Sequence, residues 1–461
     1  MTQPRAMMKI GINMVQNGGH SSGWRHPDAD PDIANDFEGY ARIIKMAEEA
    51  KIHFVFLADG AAVRIPHSNA EELSYHGHID RFEPLTLLAA LAAITSKIGL
   101  VCTASTTYNE PYTLARKYAS LDHISHGRAG WNLVTGWSED ESLNFNRDTL
   151  MEHAQRYARA NEFVDVVTGL WDSFDDDAFI ANKASGQYFR PEGMHVLNHQ
   201  GEFYKVRGPL NLRRSPQGHP VIAQAGSSVP GRDLGARVAD IIYTGQKDLQ
   251  LAQEFYADMK ARVAAAGRDP SQVLVMPGLM PIIGATEAEA QARMAELKSL
   301  VHPEVGMQLI SKTFGDLSHL DPDDPVPLPL PESNGVKSAR DQWERRLREK
   351  PMTVRQVYEE ISLSSGHCVV CGTVETIADH MQRWFESGAC DGWNLMAPYF
   401  PSGAEDFITK LIPELKRRGI FHREYEGETL RANLGLNPVP DLKNKSNDGR
   451  SKSDDRISIS N

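Results

Sequence analysis

Short apolar runs alternate along the chain with longer stretches in which apolar residues recur every three or four positions. The runs have the length of buried strands and the stretches have helical period, so the pattern predicts a parallel sheet of repeated strand–helix units. Strands are predicted at Ile10–Met14, Phe54–Ala58, Gly99–Ser105, Ala129–Val134, Val221–Ala225, Ile241–Tyr243, within Val273–Ile283 and at Trp393–Met396. Helices are predicted over Phe37–Lys51, Pro84–Thr95, Pro111–Ser125, Met151–Trp171, Gly231–Val238, Leu251–Ala266, Glu287–Leu300 and Ala404–Arg418. Eight such units in that order suit an α/β fold closed as a (β/α)8 TIM barrel better than an open doubly wound sheet. The rhythm breaks twice, at Asp175–Arg214 and at His302–Gly366, which predicts insertions between strands four and five and between strands seven and eight. Within the second, Asp321–Pro331 carries proline too often for regular structure. One domain over 1–435 is expected, followed by a polar tail over 436–461 too poor in apolar residues to order itself.

Charge and composition narrow the function. Asp and Glu outnumber Lys and Arg by 61 to 49, a net charge of −12, and no basic stripe runs through the sequence. That argues against a nucleic-acid binder. No stretch approaches the roughly 18 apolar residues of a membrane span. The start, Met1-Thr-Gln-Pro-Arg5, has no apolar signal core, so a cytoplasmic protein is expected. Four cysteines in 461 residues make no disulfide framework. Cys368-Val-Val-Cys371 sits inside an apolar run with no second pair at metal-site spacing, and reads as small buried residues rather than a redox or zinc pair.

In a barrel of this kind, chemistry sits at the C-terminal ends of the strands. The polar residues there are His20 and Trp24 after strand one, Asp59 after strand two, Thr103 to Thr107 on strand three, Asn132 and Thr135 on strand four, and Ser227 and Ser228 after strand five. Gly226-Ser-Ser-Val-Pro-Gly-Arg232 follows a strand and opens a helix, which suits either a phosphate seat or a plain serine N-cap. His153 and Tyr157, four apart on a helix, share one face and reach a phosphate or ribityl chain together, or else form an exposed pair. Asp59 ends an apolar strand, where it binds a polar ligand or caps a loop; Asn132, if inward, needs a hydrogen-bond partner. His76 with His78, and His195 with His199, lack a third ligand at metal spacing, so no metal is expected. Walker, Rossmann, GxSxG and HExxH patterns are absent.

The run from Thr106 to Thr135, TTYNEPYTLARKYASLDHISHGRAGWNLVT, resembles the bacterial luciferase-like monooxygenases. The likeness is to the branch holding nitrilotriacetate monooxygenase, dibenzothiophene-sulfone monooxygenase, the pristinamycin synthase component and long-chain alkane monooxygenase. Gly23–Pro27, Phe56–Asp59, His153–Tyr157, Arg214–Gly218, Gln224–Ser228 and Pro413–Gly419 carry it through the chain in order. Leu300–Gly306 and Arg423–Arg431 look nearest to the sulfone and nitrilotriacetate enzymes. The resemblance implies a (β/α)8 barrel that binds FMNH2 from a separate NAD(P)H:flavin reductase and activates O2 at C4a of the reduced ring. It implies that Ser227, Ser228 and Tyr157 hold the FMN phosphate, that Asp59, Thr103, Asn132 and His153 line the flavin pocket, and that His20 and Trp24 face the substrate. Tyr108 and Trp137 are further substrate-side candidates. A homodimer or homotetramer is implied as well. The substrate is expected to be a small organosulfur compound such as a sulfone cleaved at C–S. An aminopolycarboxylate is the alternative, with Arg25 and Arg64 as its possible anchors. The same superfamily holds deazaflavin-dependent reductases, and a flavin-binding protein without catalysis is the reading outside the enzymes.

Overall fold

Alternation along the strands decides how the chain closes. The computed structural model describes residues 7–63, 70–136, 138–317, 319–331, 337–363 and 366–441. Its strands are β1 (Lys9–Asn13), β2 (Phe54–Leu57), β3 (Gly99–Ser105), β4 (Ala129–Val134), β5 (His199–Gln200), β6 (Lys205–Val206), β7 (Val221–Gln224), β8 (Ile241–Thr244), β9 (Leu274–Ile283), β10 (Cys368–Gly372) and β11 (Gly392–Met396). Eight of them pair in parallel around a closed circuit, β1-β2-β3-β4-β7-β8-β9-β11 and back to β1. This is the expected (β/α)8 barrel. Alternate residues face opposite ways. Ile12, Val55, Leu100, Trp131, Ile222 and Val275 pack outward under the helices. Phe54, Phe56, Val101, Val221, Ala223, Ile241, Leu274 and Met276 fill the barrel itself.

The bottom of the barrel is plugged by the segment Leu430–Leu436. Leu430, Leu434 and Leu436 join the interior cluster from below. Much of the family-like run belongs to this closed end. Arg128, 1% exposed, donates from Nε to the Ser125 carbonyl, from Nη1 to Thr95 Oγ1 and the Ile98 carbonyl, and from Nη2 to the Ala92 and Thr95 carbonyls. Asp122 accepts from the backbone N–H groups of Ala129 and Gln217. A long motif is thus partly a brace, placed opposite the functional end.

Both insertions have structure of their own. Asp175–Arg214 contains the antiparallel hairpin β5–β6, pinned by Glu162, whose carboxylate accepts from Phe203 N–H, Tyr204 N–H and His199. The second insertion holds helices Pro303–Phe314, Lys337–Glu349 and Val354–Ser362, with a separate core around Phe314, Leu347, Val357 and Tyr358. The proline-rich 321–331 stretch carries no helix or strand. Besides the hairpin strands β5 and β6, one more strand lies outside the eight expected: the Cys368 run is β10, which pairs in parallel with β9 beyond the barrel through Leu279–Ile283. The last predicted helix is broken by a π-helical turn, Phe407–Leu411, before Ile412–Arg417. Pro413 has no N–H to give to an α-helical bond, and the wider turn accommodates it. No helix among the described residues is long and apolar enough to cross a membrane. Most of the expected tail, 442–461, lies outside the described residues.

Candidate active site

The five neighbouring strands β1, β2, β3, β4 and β7 lead into every site residue expected from the sequence. Thr103 and Asn132 are register partners on β3 and β4, both buried, and Asn132 Nδ2 donates to Thr103 Oγ1 at 2.9 Å. Asn132 Oδ1 is buried without a partner. So are Asn13 Oδ1, Asn394 Oδ1 and the Tyr243 hydroxyl, on β1, β11 and β8. Strand parity turns all four side chains inward near the mouth, above the apolar filling. Buried polar atoms left open cost about 1–3 kcal/mol each, so this end of the barrel is built to be completed by something polar. Asn13, Asn394 and Tyr243 were missed in the sequence, although the signal was the one that found Asn132: a polar residue within an apolar strand.

Asp59 lies two residues beyond β2 and is half-buried. Burial raises its carboxyl above the usual range, while the Gly60 backbone hydrogen bond and the Arg81 charge oppose that rise. The edge between β4 and β7 is different in kind. Ser228 N-caps the helix Val229–Val238, its Oγ accepting from Gly231 N–H at 3.3 Å. Its own hydroxyl hydrogen is left free to donate, so cap and phosphate seat are compatible. Ser227 beside it is exposed. Tyr157, 9% exposed, sets its hydroxyl against two glycines: a Cβ would lie 3.0 Å from it at Gly226 and 2.9 Å at Gly231. His153, exposed at the start of the same helix, has its ring centroid 4.9 Å from that of Tyr157. A serine cap, an adjacent serine and a phenol set against two glycines gather at a helix N-terminus, a donor set suited to a phosphate. In their chemistry these donors and the open polar atoms at the barrel mouth fit a flavin mononucleotide.

His20 and Trp24 stand on the loop after β1, beneath the segment 70–83. Asn17 Nδ2 donates to the Gly77 carbonyl at 2.6 Å and His78 Nε2 meets the Gly18 carbonyl at 3.0 Å. Trp24 is half-buried against Gly77, where a Cβ would come within 2.3 Å of its ring, and its Nε1 is buried without a partner. His20 is 0% exposed; its Nδ1 accepts from Ser22 N–H at 3.2 Å and its Nε2 faces Ser362 Oγ at 3.4 Å. Burial first, then the His78 and His26 rings, lower its pKa to about 3, so the ring is neutral.

A pH dependence follows. In unfolded chains an ordinary histidine gains a proton near pH 6.5, while folded His20 resists it down to about 3. Between those values the unfolded state binds more protons, so stability is full above pH 6.5 and falls as the pH drops. Thermal melts across this window are expected to show a flatter slope for His20→Gln, by up to about 1.4 kcal/mol per pH unit. An unchanged slope would mean the ring is already protonated in the fold.

The other candidates lie elsewhere. Tyr108 bonds Ser142 Oγ at 2.9 Å and stacks on Phe145. Arg25, exposed, donates to the Leu300 carbonyl. Trp137 and Arg64 fall outside the described residues. His195 pairs with Asp175 and His199 with Glu162, and no group of three potential metal ligands occurs among the described residues. Cys368 and Cys371 are free, three apart on a strand and hence on opposite faces.

Comparison with known proteins gives the family. Residues 14–391 match the family described as luciferase-like monooxygenase. N-acetyl-S-(2-succino)cysteine monooxygenase of Bacillus subtilis (strain 168) is 47% identical over 439 residues, which is 95% of this chain and 98% of that one. Nitrilotriacetate monooxygenase component A of Aminobacter aminovorans is 46% identical over 436 residues, 93% of this chain and 96% of that one. The crystal structure of riboflavin lyase, with modified FMN and its substrate riboflavin, superposes with a TM-score of 0.82 at 31% identity, covering 94% of this chain and 96% of that one. The chain therefore belongs to the luciferase-like family of flavin-dependent monooxygenases.

Proposed function

We propose that this chain is the oxygenase component of a two-component system, taking FMNH2 from a separate NAD(P)H:flavin reductase and inserting one atom of O2 into a small organic substrate. The observation that carries the FMN reading is the Tyr157 hydroxyl held over Gly226 and Gly231 beside the Ser228 cap. The two-component reading draws on the relative named component A. Use of a pyridine-nucleotide reductase suits the cytoplasm, and a homodimer or homotetramer is the assembly proposed.

Bound FMNH2 supplies the electrons and the site of O2 activation. The chain's residues hold, orient and keep water out. Ser227, Ser228 and Tyr157 donate to the phosphate, with His153 beside them. Thr103, Asn132 and Asp59 surround the ring, and His20 and Trp24 wall the substrate side, His20 as a neutral ring. Over that side the 70–83 segment meets the second insertion, with Tyr75 stacked on His302 at 3.8 Å and His76 bonded to Gln308 at 2.5 Å. Ser228→Ala and Tyr157→Phe are each expected to weaken FMNH2 binding by about 1 kcal/mol, more where the bond reaches a charged oxygen. Fluorescence titration checks this; unchanged affinity in both would remove the phosphate assignment.

For substrate, an organosulfur compound remains the first reading, supported by the Bacillus relative whose name places sulfur in its substrate. The carboxylate-bearing alternative is favoured by Arg81. This half-buried guanidinium faces the Gln16 amide oxygen, once that amide is oriented to accept, and the His78 carbonyl, and makes no salt bridge among the described residues. A thioether or sulfone that also carries carboxylates satisfies both. The test is a substrate panel with a generic flavin reductase, NADH, FMN and O2. Product from carboxylated thioethers or sulfones supports the reading; turnover of aminopolycarboxylates alone would replace it.

A further inference from the structure

Four arginines are buried among the described residues: Arg128, Arg156, Arg214 and Arg431. Three are compensated. Arg128 gives five hydrogen bonds to the closed end of the barrel. Arg214 pairs with Asp172 and Asp176, and Arg431 with Asp240. Arg156 is the exception. It is 8% exposed, its Nη1 donates to the Gly136 carbonyl, its Nε is buried without a partner, and it forms no salt bridge among the described residues. A buried guanidinium with one carbonyl as its acceptor and its Nε unpartnered is short of acceptors, which an anion would supply.

Its place names the anion. Arg156 lies in the first turn of the helix His153–Trp171, one turn on from His153 and directly before Tyr157. Tyr157 points to Gly226 and Gly231 after β7, while Arg156 points to Gly136 after β4, and β4 and β7 are register neighbours through Leu133 and Gln224. One helical turn therefore sets a phenol and a guanidinium over the exits of two adjacent strands. We propose that Arg156 is the cationic ligand of the cofactor's phosphate, which makes the site selective for the phosphorylated flavin over riboflavin. This rests on the FMN reading above. A planar guanidinium with free donors meets two phosphate oxygens at once, which neither serine nor tyrosine provides.

The experiment compares FMN with riboflavin, which has the same ring and no phosphate. The full-length wild type, Arg156→Gln and Arg156→Met are titrated anaerobically with each reduced flavin, and folding is checked by circular dichroism. Wild type is expected to prefer FMNH2; the variants are expected to lose FMNH2 affinity by about 10-fold or more while reduced riboflavin binds as before. If the wild type prefers FMNH2 and the variants keep that preference, Arg156 is not the ligand and the FMN reading stands. If the wild type binds neither flavin, both fall together. A wild-type measurement covers variants that do not fold. Inorganic phosphate at constant ionic strength should raise the Tm of the flavin-free protein relative to chloride, and an absent shift overturns the proposal.

Discussion

Replacing Gly231 by valine is expected to lower FMNH2 affinity by about 10- to 100-fold while leaving the barrel folded. A Cβ at Gly231 would stand 2.9 Å from the Gly226 Cα and 2.9 Å from the Tyr157 hydroxyl. Neither obstacle is the loose end of a flexible chain. One is backbone, and the other is the hydroxyl of Tyr157, a helix residue only 9% exposed. Valine adds two further carbons, so the loop 226–228 must lift from the phenol or the phenol must leave. Either movement separates Tyr157 from Ser228, the two groups assigned to one phosphate. Because the clash lies on the loop side of the barrel, far-UV circular dichroism is expected to stay near that of the wild type. Wild-type affinity in this variant would show that the contact does not shape the cofactor site.

The second large effect concerns the opposite end of the molecule. Asp240→Ala is expected to cost about 3–5 kcal/mol of stability. Asp240 immediately precedes β8; its Oδ1 accepts from Arg431 Nη1 at 3.1 Å and its Oδ2 from Arg431 Nη2 at 2.8 Å. Oδ2 also accepts from Ile222 N–H at 2.9 Å. Arg431 sits on the short helix Leu430–Asn433, where Leu430, with Leu434 and Leu436 just after the helix, fills the barrel from below. Removing the carboxylate leaves a buried guanidinium and a buried N–H unsatisfied, and loosens the plug. Against a typical total of about 5–15 kcal/mol this is a large share. Urea unfolding measures it, and the double substitution Asp240→Ala with Arg431→Met should recover part of the loss by removing the stranded charge. A loss below about 1 kcal/mol would mean the plug is held by its leucines alone.

How much of this was legible depended on whether a signal was local. All eight barrel strands could be read, because each is a short apolar run between helical stretches. The split of the last helix required weighing a single proline, Pro413, against a strong periodic pattern. Strand β10 was visible as an apolar run, but its pairing with the far half of β9 is a long-range choice. The helices of the second insertion were hidden by the proline-rich stretch that divides them. At the site, Thr103 and Asn132 gave themselves away as polar residues on apolar strands, and Asn13 and Asn394 could have been found likewise. The hydroxyl of Tyr157 resting on Gly226 and Gly231 could not, since about 70 residues and an insertion separate the partners. Nothing in the local sequence sets Arg156 apart from the other arginines on helices, and only burial distinguishes it. The signature around Asp122–Arg128 pointed to the family, yet its residues brace the closed end of the barrel rather than the mouth.

The measurement that bears most directly on the whole reading is an anaerobic titration of the purified protein with FMNH2, followed by flavin fluorescence. Saturable binding at one site per chain, weakened in Tyr157→Phe and Ser228→Ala, is the predicted result. A flat titration, with the protein folded and no flavin signal changing, would contradict it.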